Sequence, residues 1–192
     1  MKLLAAVTLV LTLGLTGCAA NDQLAQQFRS GDSKNYIAGD GTVTEFALKN
    51  RPAGGDWVGK TESGQLLTNR DLIGRVTVLN FWYAGCAPCR AEAKDLVALE
   101  KQFAEKGVQF VGVNVRDTAE TALAFDRNFG VNYPSVIDLE TGAVVLAYTG
   151  VVTPQAVPTT LVLDPKGKVT ARILGRIEVG TLKALIETAV GE

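Results

Sequence analysis

Histidine is absent from this sequence of 192 residues, and cysteine occurs only three times, at Cys18, Cys86 and Cys89. Covalent haem attachment needs a histidine directly after the second cysteine of a Cys-x-x-Cys pair, and Arg90 stands at that position. Because no histidine is available as an axial ligand either, haem is excluded as a bound group. Proton transfer by an imidazole is excluded for the same reason.

Neither sign of charge is in excess, since 19 lysines and arginines nearly balance 20 aspartates and glutamates. Dense basic runs are absent, so the sequence indicates neither nucleic acid nor an anionic membrane surface as a partner. Internal repeats and low-complexity blocks are absent as well. The length and the hydrophobic fraction of 47% are typical of one globular domain with a sizeable core.

One apolar run, Leu3–Leu15, follows Lys2 at the N-terminus. It is shorter than the roughly 20 residues that a membrane-spanning helix needs, so it predicts a secretory signal, with an uncleaved short anchor or a buried helix as the alternatives. The next residues, Leu15-Thr16-Gly17-Cys18, resemble the lipobox of bacterial lipoproteins. This resemblance implies a signal peptide over residues 1–17 and acyl chains on Cys18, which would anchor the protein to the extracytoplasmic face of the cell membrane.

The rest of the chain divides into a polar segment and one folded domain. Residues 18–35 have few large apolar side chains and predict a flexible tether, and residues 36–192 form the predicted domain. Its apolar pattern alternates strands with helices, which predicts an α/β fold with a mixed sheet between helices. The predicted strands are Thr42–Leu48, Val76–Tyr83, Val108–Val115, Val144–Tyr148, Thr160–Leu163 and Val169–Leu174. The predicted helices are Ala87–Lys106, Thr118–Phe129 and Val179–Val190, with a short turn or helix at Asn69–Leu72.

Cys86 and Cys89 lie where the predicted strand Val76–Tyr83 ends and a helix begins, so they can meet on its first turn. A disulfide that closes so small a loop constrains the unfolded chain very little, which argues against a purely structural role. The helix N-terminus stabilises a thiolate and lowers the cysteine pKa. We therefore predict that Cys86, at the exposed lip of the turn, is the attacking thiol and that Cys89 resolves the mixed disulfide.

Two further points concern the surroundings of the cysteine pair. Arg90 either adds positive potential beside Cys86 or is an ordinary solvated arginine. A structural zinc site takes four ligands, and with Cys18 assigned to lipid no other cysteine or histidine remains to complete it. Zinc bound within one chain is therefore disfavoured, and no metal or other cofactor is indicated.

The segment Asn80-Phe-Trp-Tyr-Ala-Gly-Cys-Ala-Pro-Cys-Arg, together with Val157-Pro158-Thr159-Thr160, resembles the active-site region of thioredoxin-like proteins. It is most similar to the membrane-tethered, extracytoplasmic group that includes TlpA and ResA, and the similarity extends from about Gly41 to the C-terminus. The resemblance implies a thioredoxin-like fold with an N-terminal β extension. It also implies a reductase of disulfides in exported proteins, supplied with electrons by a CcdA-like or DsbD-like membrane partner, with apocytochrome c as a common substrate.

The same resemblance assigns roles to three further residues. Pro158 matches a cis proline that faces the cysteine pair, and Val157 matches the residue whose main chain binds the substrate peptide. Glu92 matches a glutamate thought to assist proton transfer. Independently, Glu92 falls on one helical stripe with Cys89 and Leu96, so its carboxyl group should be buried and its pKa raised. The alternative is a solvated glutamate in the first turn of a helix.

The chain also departs from cytoplasmic thioredoxin, which has a buried aspartate where Asn80 stands and a tryptophan where Gly85 stands. Asn80 cannot titrate, so it cannot relay a proton. Trp82 is interpreted as a core residue that could also border the site. The remaining alternatives are a disulfide-forming oxidase or isomerase of secreted proteins, a peroxiredoxin-type peroxidase and a non-catalytic binding lipoprotein.

Overall fold

A computed structural model describes residues 43–153 and 156–192, which lie in a compact unit that runs from Asp40 to Glu192. The predicted signal peptide, Cys18 and the predicted tether lie outside the described residues. In the described part of the chain, no helix is both long and apolar enough to cross a membrane.

The described chain alternates strands with helices. The strands are β1 (Val43–Glu45), β2 (Val58–Lys60), β3 (Leu66–Thr68), β4 (Thr77–Trp82), β5 (Gln109–Asn114), β6 (Ser135–Ile137), β7 (Thr159–Leu163) and β8 (Val169–Leu174). The α-helices are α1 (Ala87–Phe103), α2 (Ala119–Phe129), α3 (Ala143–Ala147) and α4 (Val179–Val190). Three short 3₁₀ turns occupy Leu48–Asn50, Asn69–Leu72 and Ala104–Lys106.

Within the described residues, six strands form one mixed sheet in the order β1-β8-β7-β4-β5-β6. β4, β5 and β6 are parallel, whereas β7, β8 and β1 each pair antiparallel with their neighbours. β4 lies at the centre and is buried along its whole length, as its sequence, apolar apart from Thr77 and Asn80, predicts. The predicted α/β architecture with an N-terminal β extension is confirmed, because β1 extends the edge of the sheet beside β8.

The two faces of the sheet carry different clusters of buried side chains, since alternate residues of a strand point in opposite directions. Leu79 and Phe81 of β4 pack on one face with Val144 and Tyr148 around α3. On the other face, Trp82 packs with residues of α1 and α2. Cys86 and Cys89 therefore lie on the α1 and α2 side of the sheet.

The prediction of a strand at Val144–Tyr148 is wrong, because this segment forms helix α3. The carboxylate of Asp138 accepts hydrogen bonds from the backbone N–H groups of Val144 and Val145, both at 3.0 Å, and so satisfies the start of the helix. A short apolar run gives no periodicity that separates a strand from a helix. The strand of this region is β6, which the sequence analysis missed.

The antiparallel pair β2 and β3 was also not predicted as a hairpin. Each strand has three residues, too short for an alternating pattern to stand out. The predicted first strand is shorter than expected, because β1 ends at Glu45 and a 3₁₀ turn follows at Leu48–Asn50.

Candidate active site

Cys86 caps the N-terminus of α1. Its backbone N–H donates to the carbonyl oxygen of Tyr83 at 3.1 Å, which closes the turn after β4. Its Sγ accepts a hydrogen bond from the backbone N–H of Cys89 at 3.2 Å. Pro88 lies in the first turn of the helix, where a backbone N–H has no acceptor within the helix, so its absence costs no hydrogen bond. The helix start thus aims one of its unpaired N–H donors at sulfur.

Cys86 and Cys89 form a disulfide with an S–S distance of 2.07 Å and a Cα–Cα distance of 5.2 Å. The prediction that Cys86 lies at an exposed lip is wrong for its side chain, which is 3% exposed, against 2% for Cys89. Cys86 Sγ is covered because it is bonded to Cys89 and lies 4.0 Å from the carbonyl oxygen of Val157. The surrounding residues Gly85, Ala87 and Pro88 are exposed.

The Val157–Pro158 peptide bond is cis, as the resemblance implied. Pro158 directly precedes β7, and β7 pairs antiparallel with β4, with Thr159 opposite Phe81. This pairing brings the segment before β7 to the same end of the sheet as the segment after β4. The carbonyl of Val157 consequently lies beside Cys86, although the two residues are 71 positions apart.

Glu92 is completely buried beneath the disulfide-bearing turn. Its Oε1 accepts a hydrogen bond from Asn80 Nδ2 at 3.0 Å, and its Oε2 accepts one from the backbone N–H of Ile177 at 2.9 Å. Asn80 Nδ2 also donates to Thr160 Oγ1 at 3.0 Å. The predicted burial of Glu92 is confirmed, and the alternative of a solvated helix-start glutamate is ruled out.

Burial raises the pKa of Glu92 from 4.5 to about 7, although the hydrogen bonds from Ile177 and Asn80 act in the opposite direction. The Arg176 charge also lowers this pKa. Desolvation outweighs these effects because no cation forms a direct ion pair with Glu92 among the described residues. A buried carboxyl group that titrates near neutrality can take up or release a proton at physiological pH.

A cavity of about 10 Å³ adjoins Cys89, and this is about the size that holds one water molecule. Polar side chains in its wall are Asn80, Trp82, Tyr133 and Ser135. Trp82 is both a core residue and a border of the site, and its Nε1 donates to Ser135 Oγ at 3.2 Å. Gly112 permits this contact, since a Cβ there would lie 2.8 Å from Trp82 Nε1.

Asp117 supports the turn before the disulfide, a role that the sequence analysis missed. Its Oδ2 accepts hydrogen bonds from the backbone N–H of Ala84 at 2.6 Å and from Asn114 Nδ2 at 2.9 Å. Asn114 Oδ1 in turn accepts from the backbone N–H of Asp117 at 2.8 Å. The available signal was the Asn-x-x-Asp pattern at the end of a buried strand, since asparagine and aspartate hydrogen-bond nearby backbone in turns.

The described residues form a thioredoxin-like fold, with a Cys-x-x-Cys disulfide at the N-terminus of the helix that follows the central strand. The family model described as "AhpC/TSA family" matches residues 42–172. The chain therefore belongs to the AhpC/TSA family.

Named relatives agree with this placement. Thiol-disulfide oxidoreductase ResA of Bacillus subtilis (strain 168) is 35% identical over 113 residues, which cover 59% of this chain and 60% of that protein. Thiol:disulfide interchange protein HelX of Rhodobacter capsulatus is 34% identical over 109 residues, covering 56% of this chain and 57% of HelX. The matched part of this chain thus spans less than two thirds of either relative.

A solved structure of a secreted thiol-disulfide isomerase from Corynebacterium glutamicum superposes with a TM-score of 0.71 at 28% identity. The superposition covers 82% of this chain and 97% of the solved chain.

Proposed function

We propose that this protein is an extracytoplasmic thiol-disulfide oxidoreductase that reduces disulfides of exported proteins through Cys86 and Cys89. One observation carries the proposal: the Cys86 Sγ lies at a helix N-terminus, accepts a hydrogen bond from the Cys89 N–H, and adjoins the carbonyl of Val157. The N–H donor and the helix dipole stabilise negative charge on Cys86 when the disulfide opens. The names of the relatives and of the isomerase support the same chemistry.

In the reducing direction, the Cys86 thiolate attacks one sulfur of a substrate disulfide. A mixed disulfide forms, and the other substrate sulfur leaves as a thiolate that takes up a proton. The Cys89 thiolate then attacks Cys86 Sγ, which releases the second substrate thiol and forms the Cys86–Cys89 disulfide. In total, two electrons and two protons pass from the protein to the substrate.

Glu92 supplies the proton chemistry in this scheme. Its carboxylate accepts the proton of the Cys89 thiol before the second attack and returns it when the disulfide is reduced again. This role is supported by its complete burial, its place one turn after Cys89 on α1, and its raised pKa of about 7. Histidine, the usual proton carrier at neutral pH, is absent from the sequence.

Val157 and Pro158 form the substrate side of the proposed site. An extended substrate segment can bind against the main chain of Val157, where the carbonyl oxygen lies beside Cys86 Sγ. The exposed residues Gly85, Ala87 and Pro88 have small or compact side chains, so a partner backbone can approach the disulfide closely.

We further propose that acyl chains on Cys18 anchor the protein at the outer face of the cell membrane. A CcdA-like or DsbD-like membrane protein would return two electrons after each cycle, and apocytochrome c is one candidate substrate. These assignments are supported by the lipobox-like segment and by the resemblance to the TlpA and ResA group.

The reduction potential of the Cys86–Cys89 couple tests the direction of electron flow. The full-length protein would be equilibrated with glutathione or dithiothreitol buffers and its free thiols quantified. A potential near or below about −270 mV would support a reductase, whereas one near about −120 mV would show a disulfide-forming oxidase instead.

Variants at the two cysteines test the order of attack. Cys89→Ser should accumulate a mixed disulfide between Cys86 and substrate, because the resolving thiol is missing, whereas Cys86→Ser should trap nothing. Turnover of hydrogen peroxide with no reduction of protein disulfides would favour the peroxidase alternative. Binding of partners that persists unchanged in the double serine variant would favour the non-catalytic alternative.

A further inference from the structure

The turn that carries the disulfide has small, uncharged side chains at its surface. Gly85, Ala87 and Pro88 are exposed beside Cys86, and the described part of the facing segment, residues 156–158, also has no charged side chain. Two guanidinium groups lie beside this surface, those of Arg90, on α1, and Arg116, which follows β5. Both side chains are exposed.

Arg90 is held beside the turn that precedes Cys86. Its Nη1 donates to the carbonyl oxygen of Ala84 at 3.4 Å, and its guanidinium carbon lies 5.2 Å from the centre of the Phe129 ring. A guanidinium over an aromatic face gains a cation–π attraction and loses little hydration. The guanidinium group of Arg90 is therefore held next to the turn, while its outer edge still faces solvent.

Arg116 is held in a similar way at the same turn. Its guanidinium carbon lies 4.4 Å above the ring of Tyr83, and the Tyr83 carbonyl accepts the backbone N–H of Cys86. The Tyr83 ring also packs near Gly85, where an added Cβ would lie 3.4 Å from it. Two guanidinium groups thus stack on aromatic rings that border the disulfide-bearing turn.

Neither arginine is neutralised by an ion pair with a described carboxylate, since the ion pairs of residues 43–153 and 156–192 involve Arg51 and Arg176. Asp117 follows Arg116, but its Oδ2 is directed inward to the N–H of Ala84 and to Asn114. Apart from the bond between Arg90 Nη1 and Ala84, the donors of both guanidinium groups therefore remain available to an incoming carboxylate. Arg176 also lies near the Pro158 segment, because the backbone N–H of its neighbour Gly175 donates to the Pro158 carbonyl, but Arg176 is paired with Asp95 at 3.5 Å.

We propose that Arg90 and Arg116 form a cationic rim that selects disulfide segments with aspartate or glutamate close to the target cysteine. The inference rests on the proposed function, because it assigns the substrate class of the same site. A carboxylate on the partner would bind a guanidinium edge while the partner's disulfide reaches Cys86 across the uncharged surface. Rim charges of this kind act mainly on the association rate and are weakened by salt.

The test compares three disulfides with the full-length reduced protein. Two peptides share one disulfide core, flanked by glutamates in the first and by lysines in the second, and hydroxyethyl disulfide serves as an uncharged reference. Second-order rate constants would be measured for the wild type, Arg90→Gln, Arg116→Gln and the double variant. Arg75→Gln is the matched control, because Arg75 is exposed but precedes β4, at the opposite end of this strand from Cys86.

We expect the wild type to prefer the glutamate peptide by about tenfold at low salt. Each arginine variant should reduce this preference by about two- to fivefold, and salt of about 0.5 M should reduce it in the wild type. Rates are divided by those with hydroxyethyl disulfide, which removes any effect of Arg90 on the reactivity of Cys86 itself. Arg75→Gln should keep the full preference.

Two other outcomes would overturn different claims. Equal rates for both peptides, with normal reduction of hydroxyethyl disulfide, would overturn the cationic rim and leave the proposed function intact. Failure to reduce any of the three disulfides would overturn the proposed function, and with it the rim as a selector of substrates.

Discussion

Asn80 Nδ2 lies 3.0 Å from Glu92 Oε1, and both side chains are almost fully withdrawn from water. Asn80 belongs to the central strand and Glu92 to the helix that starts at the disulfide, so this bond connects the sheet to the helix directly beneath the site. Asparagine cannot ionise, and Glu92 is therefore the titratable member of the pair. One buried acid, with a pKa raised by burial to about 7, lies at a candidate site in a chain that has no histidine.

Glu92→Gln should remove the part of the exchange reaction that depends on proton transfer to a carboxylate. In the wild type we expect the resolving step to accelerate as the pH rises through about 7, because Glu92 then becomes a base. The variant should lose this rise and be slower by about tenfold or more at pH 8. Stopped-flow measurement of the reduction of a peptide disulfide by the reduced protein across the pH range checks this, with exposed Glu105→Gln as the control. An unchanged pH profile would refute the role.

The raised pKa of Glu92 also makes the stability of the oxidised protein depend on pH. Because the folded state binds the proton more tightly than the unfolded state, stability is highest below pH 4.5 and is lost as the pH rises toward 7. At about 1.4 kcal/mol per pH unit, the loss attributable to Glu92 is roughly 3 kcal/mol. Denaturant unfolding at pH 4.5 and pH 8 should show a correspondingly smaller loss for Glu92→Gln.

Asp126 contributes in the same direction and must be separated from Glu92. Burial, with a smaller contribution from the Glu62 charge, raises its pKa from 3.8 to about 7, and its Oδ1 has no hydrogen-bond partner among the described residues. Its side chain is half-buried, so water reduces its share of the pH-dependent loss to about 1–2 kcal/mol. Asp126→Asn should therefore reduce the dependence of the free energy of unfolding on pH without changing the exchange kinetics. If neither Glu92→Gln nor Asp126→Asn alters this pH dependence, both assignments are contradicted.

Asn80→Ala should raise the pKa of Glu92 further, because the hydrogen bond from Asn80 favours the ionised carboxylate. It should also lower the free energy of unfolding by about 1–3 kcal/mol, since two buried hydrogen bonds are lost. The pKa can be measured from the pH dependence of the Glu92 carboxyl signal in carbon NMR. Thr160→Val is the control: it removes the other Asn80 acceptor and should leave the pKa of Glu92 nearly unchanged.

Asp117→Ala should loosen the turn before Cys86, because it removes the acceptor of the Ala84 N–H at 2.6 Å. We expect exchange with protein disulfides to slow by about threefold to tenfold, through poorer positioning of Cys86. Asp117→Asn retains an oxygen acceptor and should recover most of the rate. If both variants react like the wild type, Asp117 has no positioning role.

The sequence predicted those parts of the fold in which a strand or helix is long enough for its own apolar pattern to identify it. The central strand, the helix after the cysteine pair and the C-terminal helix were placed within a few residues of their observed bounds. β6, β2 and β3 have three residues each, too few for periodicity to identify them. α3 was mistaken for a strand because its N–H groups depend on Asp138, a partner that hydrophobic periodicity does not reveal.

The sequence by itself determined the chemistry: a cysteine pair at a helix start, no histidine, and a glutamate on the buried stripe of that helix. Only the tertiary structure decided what surrounds these groups. β7 pairs with β4 and so brings the cis Val157–Pro158 bond to Cys86, and the Ile177 N–H reaches Glu92 from 85 positions away. Arg90 and Arg116 were separate surface charges in the sequence, and folding places both at one turn. Such long-range relations follow from strand order and packing, which local sequence patterns do not encode.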